Sequence, residues 1–339
     1  MLEHSALLVS HLEDGKVRCL LCAHRCLIRP GQKGLCRVRE NRGGELFALS
    51  YGRLIASHVD PIEKKPLYHF LPGSTSFSIA APGCNFRCQW CQNADISQIS
   101  STNEPDRPRF VPPERVVEGA VESGCQSISY TYTEPSLSVE YNLEVSQLAH
   151  KAGLKNVYVT NGYMTPEMLE LTISTLDAAN VDIKAFNEEV HRRYTGAYLQ
   201  PVLESCVALL KAGVWLEVTT LLVPGINDDD KQLEGLTEFI ANKLSPDVPW
   251  HISRYFPQPQ FHQIPATPPE RIFHAMDIGK KAGLRYVYGG NLQTSTVTAC
   301  PNCGERVVRR MGYSDPIVRL NIDACPKCGF RIAGVWEIK

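Results

Sequence analysis

The sequence predicts an α/β protein with a parallel central sheet and a cysteine-rich segment at each end of the chain. Between residues 74 and 297, apolar runs of strand length alternate with helical patterns of 11 to 15 residues, which is typical of βαβ units. The cysteines fall into three clusters, one inside this region and one on either side of it. Repeated right-handed crossovers wind either an open sheet or a barrel, and the periodicity alone favours neither.

These patterns divide the chain into three predicted domains. A cysteine-rich, metal-stapled domain spans residues 1–73, the βα region spans 74–297, and a four-cysteine knuckle domain spans 298–339. At roughly 150 residues per domain, a chain of 339 residues holds about two domains of ordinary size, so one large and two small domains fit this length.

Within the βα region, candidate strands and helices follow one another in order. Proline near a helix start and glycine just past a helix end mark several of the termini. The candidate strands are Ser76–Ala81, Ser127–Tyr132, Lys155–Val159, Asn180–Lys184, Val214–Leu222, Trp250–Arg254 and Arg285–Tyr288. The candidate helices are Pro113–Ser123, Ser138–Ala152, Thr165–Leu176, Pro201–Ala212, Asp229–Lys243 and Pro269–Ala282, and Thr102–Pro113 is a predicted surface loop. In such domains the active site lies at the carboxyl ends of the strands.

The charge balance argues against several partner classes. The chain has 35 Lys and Arg against 36 Asp and Glu, so nothing favours a nucleic acid partner. No apolar run approaches the roughly 18 residues of a membrane helix, which predicts no membrane partner. The amino terminus lacks the pattern of a secretory signal, and we therefore expect a cytoplasmic protein.

The cysteine pattern indicates a metalloprotein. There are 13 cysteines, an odd number, and their clustering is unlike an evenly paired disulfide framework. Cys84, Cys88 and Cys91 follow the first candidate strand of the βα region, and three thiolates on one loop leave one iron of a 4Fe-4S cube without a protein ligand. The alternative is a zinc loop whose fourth ligand comes from elsewhere. Cys125 and Cys206 stand alone and are predicted to be buried.

The spacing Cys-x3-Cys-x2-Cys, with Trp90 before the third cysteine, resembles the radical S-adenosylmethionine (SAM) superfamily. The segment Asp60–Gly73 together with the cluster loop is similar to the radical SAM proteins of the AmmeMemoRadiSam system, relatives of the pyruvate formate-lyase activating enzyme. This resemblance implies a partial TIM barrel of about six βα units, with a 4Fe-4S cluster held by Cys84, Cys88 and Cys91. It also implies that SAM binds the open iron.

The resemblance also implies which other side chains contact SAM. Glu134 and Pro135 match the end of the family's second strand, although the double glycine that usually precedes them is absent. The other matching positions are Asn161 in Thr160-Asn-Gly162, Asp182 and Lys184 in Asp-Ile-Lys, the adenine-flanking segment Thr219–Asp228, and His251. These polar residues follow or end predicted strands, where such groups usually belong to a functional site. The structural alternative for each residue is a salt bridge or a helix cap.

The two outer clusters predict further metal sites, and Tyr313, Phe330 and Trp336 are predicted to pack the small carboxy-terminal knuckle domain. Cys300, Cys303, Cys325 and Cys328 form two Cys-Pro-x-Cys-Gly knuckles, which suit a zinc staple or a rubredoxin-like iron, with zinc preferred. Cys19, Cys22, Cys26 and Cys36 provide one four-ligand site, with zinc slightly favoured over an auxiliary iron–sulfur cluster. His24 lies among these four and is a possible substitute for one sulfur.

Two functions from different classes follow. The first is a radical SAM enzyme that forms a 5′-deoxyadenosyl radical, takes electrons from a flavodoxin or ferredoxin, and abstracts hydrogen from an unidentified substrate such as a protein glycyl residue. The alternative is a metal-binding scaffold whose zinc knuckles bind RNA or protein, aided by a basic patch of Arg306, Arg309 and Arg310.

Overall fold

The computed structural model describes residues 4–99, 110–292, 295–313 and 316–337, so most of the predicted loop Thr102–Pro113 lies outside the described residues. Its core is an eight-stranded sheet in which seven consecutive strands are parallel and an antiparallel strand covers one edge. The sheet order follows the chain from β6 to β13. The strands are β1 (Val9–His11), β2 (Val17–Cys19), β3 (Leu27–Ile28), β4 (Arg39–Arg42), β5 (Glu45–Ala48), β6 (Ala56–Pro61), β7 (Thr75–Ala80), β8 (Ser127–Tyr130), β9 (Lys155–Thr160), β10 (Ala178–Asp182), β11 (Trp215–Leu222), β12 (Trp250–Arg254), β13 (Val287–Gly290), β14 (Thr296–Ala299), β15 (Arg306–Arg310) and β16 (Ile317–Val318).

Six crossovers connect the seven parallel strands, which confirms the predicted α/β fold with a parallel sheet and about six βα units. The helices are α1 (Ala94–Ser97), α2 (Pro113–Glu122), α3 (Val139–Lys151), α4 (Pro166–Thr172), α5 (Glu188–Thr195), α6 (Gln200–Lys211), α7 (Asp230–Phe239) and α8 (Pro269–Lys281). Within the described ranges, no helix is long and apolar enough to cross a membrane.

Helix α5 was not predicted, although both of its ends carry local signals. The Asn187 side chain accepts a hydrogen bond from the Val190 amide, and Gly196 ends the helix in the left-handed region at φ 77°. The helix has only eight residues, four of them charged, so it is too short to show the repeated apolar period that identifies the longer helices.

The register of the parallel strands puts a row of polar side chains on one face. Asp182 pairs with Thr219, and Thr219 pairs with His251, so these three residues are neighbours on that face. Cross-strand partners share a face because side chains alternate along each strand. The inward face therefore carries the polar groups.

The amino-terminal segment forms two small sheets, β1-β2-β3 and β4-β5, which dock on the start of α3. The buried Arg39 guanidinium lies 2.6 Å from the carboxylate of Glu140, which also accepts a hydrogen bond from the Leu7 amide. Strand β6 belongs to the central sheet although it precedes residue 73, and the domain boundary predicted there stays a prediction.

The carboxy-terminal segment forms a three-stranded sheet, β14-β15-β16, and its small core also includes Tyr68, Tyr286 and Tyr288. Phe330 and Trp336 pack against that core, as the sequence predicts. Tyr313 does not, since it is half exposed and borders the central cavity. Arg310 is fully buried and donates to the carbonyl of Tyr68, so the predicted basic patch beside the first knuckle loses this residue. The Arg310 guanidinium thus links the carboxy-terminal segment to the segment that contains Tyr68.

Candidate functional site

A cavity of about 560 Å³ opens at the carboxyl ends of the parallel strands. The three cysteines of the loop after β7 line it, together with Glu134, Asn161, Asp182 and Lys184 from the following strands. Sequence reasoning predicts each of these residues for one site, and the structure brings them together there. The cavity is large enough for a molecule of cofactor size.

The cysteine loop is fixed by backbone and side-chain contacts. The Phe86 amide donates to the Cys84 sulfur at 3.3 Å, and the Cys91 sulfur lies 3.3 Å from the Ser97 hydroxyl. Trp90 is buried in an apolar cluster with Val223, Ile226 and Tyr255. The loop therefore presents its thiols from a rigid base.

The spacing of these thiols suits a cluster of metal ions better than a single ion. Among the described residues, only the carboxy-terminal cysteines form a group of three or more ligand atoms that all lie within 4.8 Å of one another. One zinc bound at about 2.3 Å by each sulfur would hold them inside that limit. In a four-iron cube each thiolate binds a different iron, so the sulfurs stand farther apart.

The thiols also need bound cations to ionise. Burial raises the pKa of the Cys88 thiol to about 12, and burial raises the pKa of Cys84 well above its usual value. A thiolate in this environment is unfavourable unless a metal ion takes the place of the proton. The donor set therefore fits a resident metal cluster.

Glu134 is buried beside the cysteine loop and is already hydrogen-bonded. Its carboxylate accepts from the Thr160 hydroxyl at 2.7 Å, from the Asn161 amide at 2.9 Å and from the Ser136 amide at 3.1 Å. Burial still raises the pKa of Glu134 above its ordinary value. The three donors fix the orientation of the carboxylate at the cavity wall.

Asp182 and Lys184 form an ion pair inside the cavity. The Lys184 ammonium lies 2.7 Å from the Asp182 carboxylate, and both side chains are largely shielded from solvent. Burial lowers the pKa of Lys184, but the negative charge of Asp182 and the nearby Cys88 raise it by more, so the net shift is upward. The pair is therefore a charged feature of the cavity rather than a solvated surface pair.

Two buried side-chain oxygens on the cavity wall have no hydrogen-bond partner. They are the Asn180 carbonyl oxygen and the Thr219 hydroxyl, both on buried residues. Buried polar atoms are normally satisfied, and orphans that line a cavity are expected where a ligand supplies the missing partner. SAM, with its amino, carboxylate and ribose groups, has the donors and acceptors to do so.

His251 does not line the central cavity itself, and its predicted contact with SAM stays a prediction. It lines an adjoining cavity of about 140 Å³, which shares Pro66, Ser253, Asn291 and Tyr313 with the central cavity as walls. Its ring contacts Glu217, which is buried in the middle of β11. Sequence reasoning missed Glu217, although a carboxylate inside an apolar strand is itself a signal.

Lys64 and Lys65 also line the central cavity and were not predicted. Both ammonium groups bind the Asp60 carboxylate, at 2.7 and 2.6 Å, and the Tyr132 hydroxyl donates to the same carboxylate. These residues follow β6, which sequence reasoning placed outside the sheet. The segment Asp60–Gly73 carries part of the family resemblance, but no strand pattern in the sequence connects it to the site.

The carboxy-terminal cysteines are arranged for one metal ion. The Cys300 and Cys328 sulfurs are 3.6 Å apart, and those of Cys303 and Cys325 are 3.7 Å apart. Four sulfurs at about 2.3 Å from one ion in a tetrahedron lie about 3.8 Å from each other, so the geometry matches. The spacing does not identify the metal.

Comparisons with known proteins agree with this site. The family model of the radical SAM superfamily matches residues 78–236, which contain the cysteine loop. An uncharacterized protein of Methanocaldococcus jannaschii is 40% identical over 318 residues, or 93% of this chain and 94% of that protein. The pyruvate formate-lyase 1-activating enzyme of Escherichia coli K12 is 24% identical over 163 residues, or 46% of this chain and 65% of that enzyme.

Among solved structures, a radical SAM methyltransferase from Sphaerobacter thermophilus aligns with a TM-score of 0.51. The alignment covers 65% of this chain and 67% of that chain at 16% identity, so it is a likeness of fold.

Proposed function

Because this chain belongs to the radical SAM superfamily, we propose that it uses a 4Fe-4S cluster to cleave SAM reductively into methionine and a 5′-deoxyadenosyl radical that abstracts hydrogen from a substrate. The observation that carries the proposal is the loop of Cys84, Cys88 and Cys91 at the carboxyl ends of the strands, beside a cavity of about 560 Å³. Three thiolates are one fewer than the irons of a cube, which leaves a coordination position for SAM.

The residues around the loop have separate roles in this proposal. Cys84, Cys88 and Cys91 would hold the cluster. The side-chain amide nitrogen of Asn161 lies 3.7 Å from the Cys84 sulfur and would donate a hydrogen bond to it. Glu134 faces the amino group of SAM, since a fixed buried carboxylate favours a cationic partner. Asp182 and Lys184 line the same cavity and would supply an acceptor and a donor for the ribose and carboxylate groups.

The adjoining cavity is the proposed place for the substrate. Its walls include Glu63, Tyr68 and His251. The two cavities adjoin, since several residues line both of them. Glu63 is buried, and one of its carboxylate oxygens has no hydrogen-bond partner. A substrate with an N–H or O–H donor would satisfy that oxygen.

A protein glycyl residue is the more specific candidate substrate. The similarity to the pyruvate formate-lyase 1-activating enzyme supports it, over less than half of this chain. The volume of the adjoining cavity, about 140 Å³, supports a small-molecule substrate equally well. The required electron would come from a ferredoxin or flavodoxin.

The experiment is an anaerobic assay of the reconstituted full chain with SAM and dithionite, with 5′-deoxyadenosine measured by chromatography. We expect product from the unaltered protein and from the control Cys125→Ala, whose cysteine is buried away from the three clusters. Cys84→Ala should abolish it. Equal amounts of product from Cys84→Ala and the unaltered protein would refute the proposal.

A further inference from the structure

The amino-terminal cysteines enclose a small cavity of their own. Cys19, Cys22, Cys26 and Cys36 all line it, and three of the four are buried. No three of their sulfurs lie within 4.8 Å of one another, in contrast to the carboxy-terminal set.

This geometry distinguishes between the two metals that suit four cysteines. A single zinc draws the sulfurs to about 2.3 Å from its centre and leaves no space between them, as at the carboxy-terminal site. A four-iron cube holds them apart, because each thiolate binds a different corner. The spread of the four sulfurs therefore favours the cube.

Two polar side chains at this cavity have nitrogen atoms without partners. Asn85 and Arg39 both line the cavity, both are buried, and the Asn85 amide nitrogen and Arg39 Nε donate no hydrogen bond. Buried N–H groups of this kind are rarely left unsatisfied. Sulfides and thiolates of an iron–sulfur cluster accept such hydrogen bonds.

The amino-terminal cavity lies directly against the loop that carries Cys84. A Cβ atom added to Gly83 would lie 3.1 Å from the Cys36 carbonyl oxygen and 2.8 Å from the Val38 side chain. The Asn85 carbonyl accepts a hydrogen bond from His24 at 2.9 Å, and the Asn85 side chain accepts one from Asn161 at 2.7 Å. Asn161 is the residue beside the Cys84 sulfur, so one short chain of contacts joins the two sites.

The same cavity is close to the protein surface. Leu35 lines it and is 57% exposed, and Leu27, 52% exposed, lies on the same small domain. Exposed apolar side chains next to a redox centre are a suitable contact for a small electron-transfer protein.

From these observations we propose that Cys19, Cys22, Cys26 and Cys36 hold a second 4Fe-4S cluster, which passes electrons from an external donor to the cluster at Cys84, Cys88 and Cys91. The step is a transfer of one electron. A reduced ferredoxin or flavodoxin loses one electron, the amino-terminal cluster takes it up and hands it on, and no bond is made or broken. The second cluster rests on the geometry above, whereas its role as a relay rests also on the proposed function.

The cluster is tested without any activity measurement, on full chains purified and reconstituted without oxygen. A variant with Cys84→Ala, Cys88→Ala and Cys91→Ala should keep about four irons and four acid-labile sulfides per chain, against about eight in the unaltered protein. After reduction it should show the electron paramagnetic resonance signal of a reduced 4Fe-4S cluster. Zinc in place of iron, with no acid-labile sulfide in this variant, would overturn the proposal.

The relay is tested in a second variant, Cys22→Ser with Cys36→Ser, against the control Cys125→Ser with Cys206→Ser. Dithionite, a small reductant, should support 5′-deoxyadenosine formation within about twofold of the control, whereas reduced flavodoxin should support it about tenfold less well. Equal support by both reductants would refute the relay. A lack of product from the unaltered protein with either reductant would refute the proposed function and would leave the iron count of the triple variant as the test of the cluster.

Discussion

The carboxylate of Glu217 lies 2.6 Å from Nε2 of His251, and both side chains are buried inside the barrel. The same carboxylate accepts hydrogen bonds from the amides of Tyr68 and His69 and from the Trp215 indole. Burial raises the pKa of Glu217, but His251 and the other donors lower it by more, and the net shift is downward. Glu217 therefore fixes the orientation of the ring that the family resemblance assigns to SAM.

We expect Glu217→Gln to destabilise the fold by about 1–3 kcal/mol, the range for a buried polar group that loses its partner. Because the pKa of Glu217 is depressed in the folded state, its contribution to stability is present above its unfolded pKa of about 4.5 and is lost as the pH falls. The variant should therefore lose less stability than the unaltered protein between pH 5 and pH 3. Urea denaturation at several pH values measures both effects.

The control is Glu234→Gln, on the exposed side of α7. It should change the free energy of unfolding by less than about 0.5 kcal/mol. A Glu217→Gln variant as stable as this control would show that the pair with His251 is dispensable.

The predictable part of the site lies where a strand pattern leads directly to a polar residue. Cys84, Asn161 and Asp182 follow or end apolar strands, and parallel strands bring such positions to one edge. Glu217 could not be assigned in this way, because its partner His251 is 34 residues away and only the register of β11 and β12 brings them together. Lys65 was missed because β6 is an antiparallel edge strand with no βα unit of its own.

The metal sites show a similar limit. The sequence supplies the same count of four cysteines at both ends of the chain, and spacing alone favours zinc at each. The carboxy-terminal cysteine sulfurs approach each other to 3.6 Å, whereas the amino-terminal cysteines surround a cavity. This difference depends on how the loops pack. That packing is set by contacts distant in the sequence, such as Gly83 against Cys36.

A second prediction concerns Asp60, which binds two lysines beside the cavity. Asp60→Asn leaves the buried Lys65 ammonium without its ionic partner and should cost about 3–5 kcal/mol of stability. Burial raises the pKa of Asp60, but Lys64, Lys65 and Tyr132 lower it by more, so its stabilisation is lost as the pH falls below about 3.8. Chemical denaturation at pH 7 and pH 3 measures this, and the difference between variant and unaltered protein should shrink at pH 3.

Asp14→Asn is the matched control, because Asp14 forms an ion pair with Lys16 on the surface. Exposed pairs contribute between about 0 and 1 kcal/mol. A loss for Asp60→Asn no greater than this would contradict the role of the buried pair.

A third prediction concerns the binding of SAM. Lys184→Met removes a cation from the cavity and leaves Asp182 without its partner, so we expect about 10- to 100-fold weaker binding of SAM to the reconstituted protein. Isothermal titration calorimetry under nitrogen measures the affinity directly. Lys211→Met, at the exposed end of α6, is the control and should bind as the unaltered protein does. Unchanged affinity in Lys184→Met would remove Lys184 from the SAM site.

A fourth prediction concerns the carboxy-terminal metal. We expect one zinc per chain that survives in the triple variant of Cys84, Cys88 and Cys91 and is lost in Cys303→Ser with Cys325→Ser. Because structural zinc contributes about 10–16 kcal/mol in small domains, its removal should unfold the knuckles selectively. Elemental analysis and limited proteolysis after residue 295 measure the two effects. Iron at this site in aerobically purified protein would refute the zinc assignment.

The last prediction concerns Gly83, one of the residues through which the cysteine loop contacts the amino-terminal segment. Gly83 has φ 100°, and a Cβ atom there would lie 2.8 Å from Val38, so Gly83→Ala combines backbone strain with a clash. Gly153→Ala is the matched control, since Gly153 also has positive φ, at 79°, but no atom lies within 4 Å of an added Cβ. Both variants should lose about 1–2 kcal/mol from the left-handed backbone. Gly83→Ala should also displace the loop and lower the iron content after reconstitution, and this second effect separates the contact from the strain. If both variants bound iron equally well, the packing of Gly83 on Cys36 and Val38 would not be what positions the cysteine loop.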